Sequence, residues 1–208
     1  MLTIENVQVF GFQAAIRGMR NPKNSWSKSD STFEMSTDDS GVQTIDIGPA
    51  DMKLASALAN SGADDGKFLR MIHVQLDVIA PLYWWKEADT YSVGVVKNSC
   101  STMHKIHAKE FTLWDFSIEH LYSPLHDLKP TVDLLNVYRE RFLDTKNKED
   151  WWQLIQLLPS SYNQRRTLDL NYAVLRNIYH ARKGHRLDEW KTLLDWIETL
   201  PYAKELIC

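Results

Sequence analysis

The sequence from Leu157 to Trp190 reads LLPSSYNQRRTLDLNYAVLRNIYHARKGHRLDEW and holds the most informative pattern in the chain. A Leu-Pro pair ends one predicted helix, and a polar loop containing Arg165 and Arg166 follows it. From Asn171 to Arg182 the apolar positions recur at helical spacing, which predicts a half-buried helix. Because Asn171 and Arg182 are about three helical turns apart, we expect them to project from nearly the same side.

The arginine near the end of this predicted helix has two interpretations. Gly184 closes the pattern shortly after Arg182, as expected at a helix C-terminus. A cation at that position can simply complement the negative end of the helix dipole, or it can bind an anion with its guanidinium. The residues alone leave both interpretations open.

Length and composition exclude several classes of protein. The 208 residues fit a single domain spanning 1–208, and a 44% hydrophobic content supplies a large core, which excludes a disordered chain. A net charge of −3 argues against general nucleic-acid binding. Cys100 and Cys208 are too few for a disulfide framework, and the chain shows neither a secretory signal pattern nor an apolar run of about 18 residues. We therefore expect a soluble cytoplasmic protein that does not associate with membranes.

Apolar periodicity and breaker residues predict an α+β protein, with strands near the front of the chain and helices at the back. The predicted strands are 7–12, 41–48 and 71–79, and the predicted helices are 49–61, a helix opening at Pro81, 131–146, 151–158 and 187–199. A polar segment predicts a mobile loop at about 24–41. Gly18 and the Asn21-Pro22 pair predict a break before that loop, and no periodic pattern follows Pro201.

Two groups of polar residues in the first half have both a structural and a functional interpretation. Arg17 and Arg20 precede the predicted break and are either solvated charges or ligands of an anion. In the clearest predicted strand, His73, Gln75 and Asp77 alternate with apolar residues and must stand on one face. That face is either the solvated side of a sheet or the wall of a polar cavity.

Two adjacent tryptophans are typical of a subunit interface, and a pair of histidines has a spacing found in metal sites. Trp84 and Trp85 point in different directions on a helix, so burying both requires packing on two sides, which suggests a subunit interface. His104 and His107 have a spacing that can hold a metal, but no third ligand is paired with them in the sequence. We therefore interpret them as hydrogen-bonded histidines and predict no metal site.

Two segments of the chain resemble the flavin-dependent thymidylate synthase family. The first is the C-terminal pattern, in which Asn171, Asn177 and Arg182 follow Pro159 at the family's spacing. The second, HVQLDVIAPLYWWKEADTYSVGVVKNSCS at 73–101, is similar to the family's strand–proline–helix segment. The resemblance implies that family's fold, an α+β arrangement with a mixed or antiparallel sheet flanked by helices, and assembly as a homotetramer.

The resemblance also implies cofactors, ligands and site residues. Enzymes of the family hold FAD and a pyrimidine nucleotide such as dUMP at subunit interfaces and carry out reductive methylation of a uridylate. The implied catalytic residue is Ser101, beside the pyrimidine. The implied flavin contacts are Arg70, Tyr91 and Asn177, and the implied nucleotide contacts are Asn98, Arg165, Arg166, Asn171 and Arg182. Of these, Ser101, Tyr91 and Asn98 would come from a neighbouring subunit.

The chain departs from the family's central motif, RHRxxSxNExSxRY. Thr90, Tyr91 and Ser92 stand in place of Arg-His-Arg, give or take one residue, whereas Asn98 and Ser101 match the later Asn and Ser. Neutral hydroxyls cannot replace the charge with which arginine forks bind a flavin diphosphate. The pattern therefore predicts a retained nucleotide wall and an altered flavin wall.

Three functions are consistent with this pattern. The first is a homotetrameric, nucleotide-binding protein of this fold that methylates a uridylate with FAD. The second is a non-catalytic nucleotide sensor or sequestering protein of the same fold. The third is a scaffold whose tryptophan-rich faces bury subunit contacts without any small ligand.

Overall fold

The structure, a computed structural model, describes residues 1–35 and 43–208. The strands are β1 (Thr3–Phe10), β2 (Thr32–Met35), β3 (Gln43–Asp46), β4 (His73–Pro81), β5 (Val96–Ser99) and β6 (Asn163–Asn171). The α-helices are α1 (Phe12–Arg20), α2 (Pro49–Asn60), α3 (Leu82–Ala88), α4 (Pro124–Asp127), α5 (Lys129–Thr145), α6 (Lys148–Leu157), α7 (Tyr172–Arg182), α8 (Asp188–Ile197) and α9 (Ala203–Leu206). Short 3-10 helices cover Asn21–Lys23, Trp26–Lys28, Asp65–Met71 and Leu113–Asp115.

The strands form two sheets. The larger sheet has the strand order β1-β4-β6-β5, and the smaller pairs β2 with β3 antiparallel, with Thr32 opposite Asp46. The α+β class predicted from the sequence is confirmed. The alternation predicted for β4 is also confirmed, because its even-numbered residues from 74 to 80 are buried and its odd-numbered residues from 73 to 79 are half-buried.

The predicted break at Gly18 is wrong, because α1 continues through it. This helix buries Phe12, Ile16 and Met19, and that apolar face offsets the cost of about 1 kcal/mol for a glycine in a helix interior. A Cβ atom at Gly18 would lie 3.3 Å from the sulfur of Met71. The glycine therefore permits close packing that a local reading of the sequence does not reveal.

The prediction of a polar loop after Pro159 is also wrong, because most of this segment forms β6. Gln164, Leu168 and Leu170 are buried on one face of this strand. Arg166 occupies the same face, and a charged residue in that position hides the alternation by which strands are recognised.

The predicted helices at 49–61, 131–146, 151–158 and 187–199 are confirmed, with ends that differ by a few residues. The predicted mobile loop at about 24–41 is wrong where it overlaps β2, and its residues 36–41 lie outside the described residues. The short helix α9 follows Pro201, where no periodic pattern predicted regular structure.

The described residues form two compact units, and the prediction of one domain spanning 1–208 stays a prediction. Unit 1 comprises residues 1–5, 77–90 and 97–167, and unit 2 comprises residues 6–76, 91–96 and 168–208. The apolar cluster of unit 1 contains Ile106, Phe111, Phe116, Leu128, Val132, Leu135 and Leu154. The largest buried side chains of unit 2 include Phe12, Ile16, Leu69, Ile72, Tyr172, Leu175, Trp190 and Ile197. Trp84 and Trp85 are 2% and 1% exposed in the single chain, so a subunit interface is not needed to cover them.

A buried ion pair anchors the N-terminal part of unit 2. Arg20 donates from Nε to Oδ1 of Asp51, whose carboxylate is fully buried. Oδ2 of Asp51 accepts the hydroxyls of Ser29 at 2.6 Å and Ser31 at 2.7 Å, and the backbone N–H groups of Asp30 and Ser31. Burial alone would raise the pKa of Asp51, but these hydrogen bonds outweigh it and lower the pKa. Both sequence interpretations of Arg20 are wrong, since its guanidinium is neither solvated nor available to a ligand.

We predict that Asp51→Asn lowers the free energy of unfolding by about 3–5 kcal/mol, because it leaves the Arg20 guanidinium buried without its counter-charge. The pKa of Asp51 is lowered in the folded state. Its contribution is therefore fully present above the unfolded pKa of about 3.9 and is lost as the pH falls through the folded pKa. Urea denaturation between about pH 7 and about pH 3 should show that the difference in the free energy of unfolding between wild type and variant becomes smaller below about pH 4.

Asp144→Asn is the control for this substitution, because Asp144 is exposed and should change stability by less than about 0.5 kcal/mol. An equal loss of stability in both variants, or a gap that does not depend on pH, would contradict the role given to Asp51.

Candidate functional site

The side chain of Asn171 joins β6 to α7. It is the N-cap residue of α7, where its Oδ1 accepts the backbone N–H of Val174 at 3.1 Å. The helix begins after Asn171, so the expectation that Asn171 and Arg182 project from one helix side is wrong. Nδ2 of Asn171 donates to the carbonyl of Gly94 at 3.5 Å. Gly94 has a φ of 72°, which favours glycine, and a Cβ atom there would lie 3.3 Å from Nδ2.

Unit 2 contains a cavity of about 680 Å³ beside this junction. Three residues singled out from the sequence line it, namely Arg70, Asn171 and Asn177. Three further polar residues line it that the sequence did not single out, namely Asn60, Arg176 and His180. Arg176 and His180 are four residues apart on α7, and this helical spacing is the signal that could have identified them.

The charge of this cavity is positive. Arg70 and Arg176 line it, and none of its described lining residues is a carboxylate. Arg176 donates to Asn60 Oδ1 at 2.9 Å and to two carbonyls of the C-terminal segment at 3.2 Å and 3.3 Å. Arg70 and Asn177 are exposed and make no ion pair or hydrogen bond through their side chains to any residue that the structure describes. These two side chains are available to a ligand.

His180 adds a neutral polar group to the cavity. Partial desolvation lowers the pKa of His180, and the positive charges of Arg176 and Lys183 lower it further, although a hydrogen bond with the backbone of Ile207 acts in the opposite direction. A neutral imidazole carries one donor and one acceptor, so it can hydrogen-bond a ligand without adding charge.

Arg182 lies outside this cavity, in an aromatic contact of unit 2. Its guanidinium carbon is 4.5 Å from the ring centre of Trp190 and 5.3 Å from that of Tyr91. Its Nε donates to the Tyr91 hydroxyl at 2.9 Å, so Tyr91, which was expected from a neighbouring subunit, meets Arg182 within one chain. Arg182 also lines a recess of about 250 Å³ together with three basic and two acidic side chains. Its role as an anion contact stays a prediction.

Arg166 is neutralised within unit 1. Its guanidinium lies 4.2 Å from the ring centre of Trp85 and donates to Asp89 at 2.8 Å and to Gln164 at 2.9 Å. Burial would raise the pKa of Asp89, but hydrogen bonds from Lys97 and Arg166 lower it, so Asp89 stays ionised at neutral pH. Arg166 therefore has a structural partner for its charge.

Arg165 and Ser101 line a second cavity, of about 960 Å³, in unit 1. Arg165 forms ion pairs with two carboxylates. Ser101 Oγ accepts the backbone N–H groups of Met103 at 3.1 Å and His104 at 2.8 Å, and no histidine or carboxylate of the described chain hydrogen-bonds to it. Asn98, on β5, is exposed. Among the described residues, Ser101 thus has no adjacent base of the kind that activates a serine nucleophile.

The part of the chain that the structure describes shows neither a metal site nor a membrane-spanning helix. No group of three or more His, Cys, Asp or Glu side chains there could hold a metal ion. No helix there is long and apolar enough to cross a membrane.

Comparisons with known proteins show the fold of this chain. Neither a protein-family model nor a curated protein sequence matches it. The chain is similar to thymidylate synthase X (ThyX) from Helicobacter pylori with FAD and dUMP, with a TM-score of 0.69, 15% identity, and coverage of 100% of this chain and 97% of that one. It is also similar to the UMP/dUMP methylase PolB from Streptomyces cacaoi bound with 5-Br dUMP, with a TM-score of 0.66, 14% identity, and coverage of 99% and 94%. The chain therefore has the fold of the flavin-dependent thymidylate synthases, as the resemblance implied.

We predict that Arg182→Ala lowers the free energy of unfolding by about 1–2 kcal/mol, because it removes the hydrogen bond to Tyr91 and the stacking on Trp190. Tyr91→Phe keeps both rings, removes only the hydroxyl, and should cost about 1 kcal/mol. Urea denaturation measures both losses, with the exposed Arg186→Ala as the matched control. Unchanged stability in Arg182→Ala would show that these contacts do not support the fold.

Proposed function

We propose that the protein binds a pyrimidine nucleotide of the dUMP class in the unit 2 cavity. The observation that carries this proposal is the lining of the cavity, which has two guanidinium groups and, among its described residues, no carboxylate. A nucleoside monophosphate brings a phosphate dianion, for which guanidinium is the strongest side-chain donor. The cavity volume of about 680 Å³ also suits a ligand of this size, since small-ligand sites span about 300–1,000 Å³.

Four polar side chains of the cavity have a role in this proposal. Arg70 binds the phosphate, because its guanidinium is exposed and has no ion-pair partner among the described residues. Asn177 offers an amide donor and acceptor, which suits the edge of a uracil ring. His180 hydrogen-bonds the sugar, and Arg176 keeps its carbonyl partners while adding positive charge. Arg70 and Asn177, which the resemblance implied for a flavin, thus serve the nucleotide.

The proposal includes assembly as a homotetramer with the nucleotide at a subunit interface, as the family resemblance implies. A neighbouring subunit would then bring Ser101 and Asn98 towards the pyrimidine. Arg165 and Arg166 would assist in binding the anion. The roles of Ser101 and Asn98 require contacts between chains, and all four roles stay predictions. The ligands of the two similar structures, dUMP and 5-Br dUMP, support the choice of nucleotide.

A second candidate function is reductive methylation of a uridylate with FAD. It is favoured by two similar proteins, the H. pylori enzyme with FAD and PolB, which is a UMP/dUMP methylase. The residues of this chain do not fit FAD. A flavin diphosphate needs several arginine donors. Thr90 and Ser92 are neutral, and Tyr91 contacts Arg182. Arg70 is the one unpaired guanidinium among the described lining residues of the unit 2 cavity. We therefore favour nucleotide binding without flavin chemistry, as in a sensor or sequestering protein.

We predict that dUMP binds the purified protein and that Arg70→Ala weakens the affinity at least about tenfold, because a hydrogen bond to a charged group contributes about 1.5–3 kcal/mol. Asn177→Ala should weaken the binding of dUMP more than the binding of 2-deoxyribose 5-phosphate, since the second ligand lacks uracil. Titration calorimetry measures both effects.

Arg186→Ala is the control for this titration, because Arg186 is exposed and does not line the cavity. If Arg182→Ala weakens the binding of dUMP and Arg70→Ala does not, the phosphate binds in the recess lined by Arg182. If saturating dUMP leaves the thermal stability unchanged, the protein is a scaffold rather than a nucleotide binder.

We also predict that the protein, incubated with FAD and then dialysed, shows no visible flavin absorption, because the arginine donors for the diphosphate are missing. Absorption spectra with and without dUMP measure this, and heat release followed by mass spectrometry identifies any nucleotide that copurifies. Retained flavin whose spectrum shifts with dUMP would instead support reductive methylation.

A further inference from the structure

A cavity of unit 1 has an aromatic wall that the proposed function does not use. Its volume is about 960 Å³, and it shares no lining residue with the unit 2 cavity. Volumes of this size lie at the upper end of the range of about 300–1,000 Å³ seen for small-ligand sites. The cavity is large enough for a ligand with two or more rings.

The wall of the unit 1 cavity is aromatic. The Phe111 and Phe116 rings lie against the Tyr162 ring in edge-to-face contacts, with centroids 6.2 Å and 5.6 Å away. The Trp114 side chain also lines the cavity and is 86% exposed, although tryptophan is highly buried on average. Phe111 and Phe116 are themselves buried, so the exposed Trp114 ring is the surface on which a flat aromatic ligand can stack.

Side chains of α5 and α6 hold this wall in place. Most of the segment 100–118 is irregular, so its position depends on contacts outside itself. Asn136 of α5 accepts the N–H of Phe111 at 2.8 Å and donates to its carbonyl at 2.9 Å. Trp151 of α6 donates to the carbonyl of Met103 at 3.0 Å. The backbone at Phe111 and Met103 is therefore held in place before a ligand binds, which reduces the cost of ordering this segment.

One lysine of the unit 1 cavity has no counter-charge among the described residues. The other charged lining residues are paired: Lys109 with Asp115, Arg165 with Glu5, and Glu119 with the amino group of Met1. Lys105 is exposed and forms no ion pair with any residue in 1–35 or 43–208. Among its described lining residues, the cavity therefore presents one ammonium group without an ion-pair partner, together with aromatic rings.

We propose that the unit 1 cavity binds a planar aromatic ligand with one anionic group, such as an aromatic carboxylate or sulfonate. The ring system lies against Trp114, and Lys105 binds the anion. A carboxylate or sulfonate carries one negative charge, which matches the single positive charge of one ammonium group. The ligand differs in chemistry from the nucleotide proposed for unit 2, and the inference does not rest on that function.

Titration calorimetry of the full chain with 2-naphthoate and its neutral counterpart 2-naphthylmethanol tests this proposal. We expect 2-naphthoate to bind one per chain with a Kd of about 0.5 mM or tighter, and the alcohol to bind several-fold more weakly. Trp114→Ala should weaken the affinity for both ligands about fivefold or more. Lys105→Gln should reduce the affinity for 2-naphthoate to that for the alcohol and leave the alcohol unaffected.

The controls are Trp26→Ala and Lys67→Gln, which alter exposed residues of the same types in unit 2 and should leave both affinities unchanged. A second readout is the NMR signal of the Trp114 indole N–H, identified by its loss in Trp114→Phe. This signal should shift when 2-naphthoate is added to the wild-type protein.

Four results would overturn the proposal: no saturable binding, equal affinity for the two ligands, indifference to both substitutions, or displacement of 2-naphthoate by dUMP. The last result would assign the unit 1 cavity to the nucleotide. Failure of dUMP to bind anywhere would count against the function proposed for unit 2 and leave the aromatic site standing.

Discussion

The amide of Asn171 is the contact on which the unit 2 cavity depends. Its oxygen caps the first turn of α7, and its nitrogen binds the carbonyl of Gly94, so one side chain fixes both the start of the helix and a neighbouring turn. Once the first residue of α7 is fixed, the positions of Arg176, Asn177 and His180 around the helix follow from its period. The contribution of α7 to the cavity lining is therefore a consequence of where this helix begins.

Most of the arginines that looked like anion ligands have partners inside the protein. Arg20 is neutralised by Asp51, Arg166 by Asp89, and Arg182 packs against Tyr91 and Trp190. An arginine whose charge is already compensated contributes little to the field at a ligand site. Arg70 differs, because it is exposed and makes no ion pair with a described residue. This difference in partners, rather than the number of arginines, decides which cavity suits a phosphate.

The two cavities suit different ligands although they belong to one fold. Arg70 and Asn177 make the unit 2 cavity polar and positive, whereas Trp114 and Lys105 give the unit 1 cavity an aromatic wall with one available charge. At 15% identity to the H. pylori enzyme, the backbone arrangement is similar while most side chains differ. A fold can host many functions, so the ligands must be inferred from the side chains that line each site.

The sequence by itself determined the elements whose pattern is local: the alternation of β4, the helices begun by Pro49 and by Pro81, and the family resemblance that led to the fold. It also placed Asn171, Asn177 and Arg70 among the site candidates, and these share a cavity. Only the tertiary structure decided that β6 is a strand and that Arg182 lies outside that cavity. Periodicity reports the neighbours of a residue along the chain, whereas burial and counter-charge depend on residues that are distant in sequence and meet only when the chain folds.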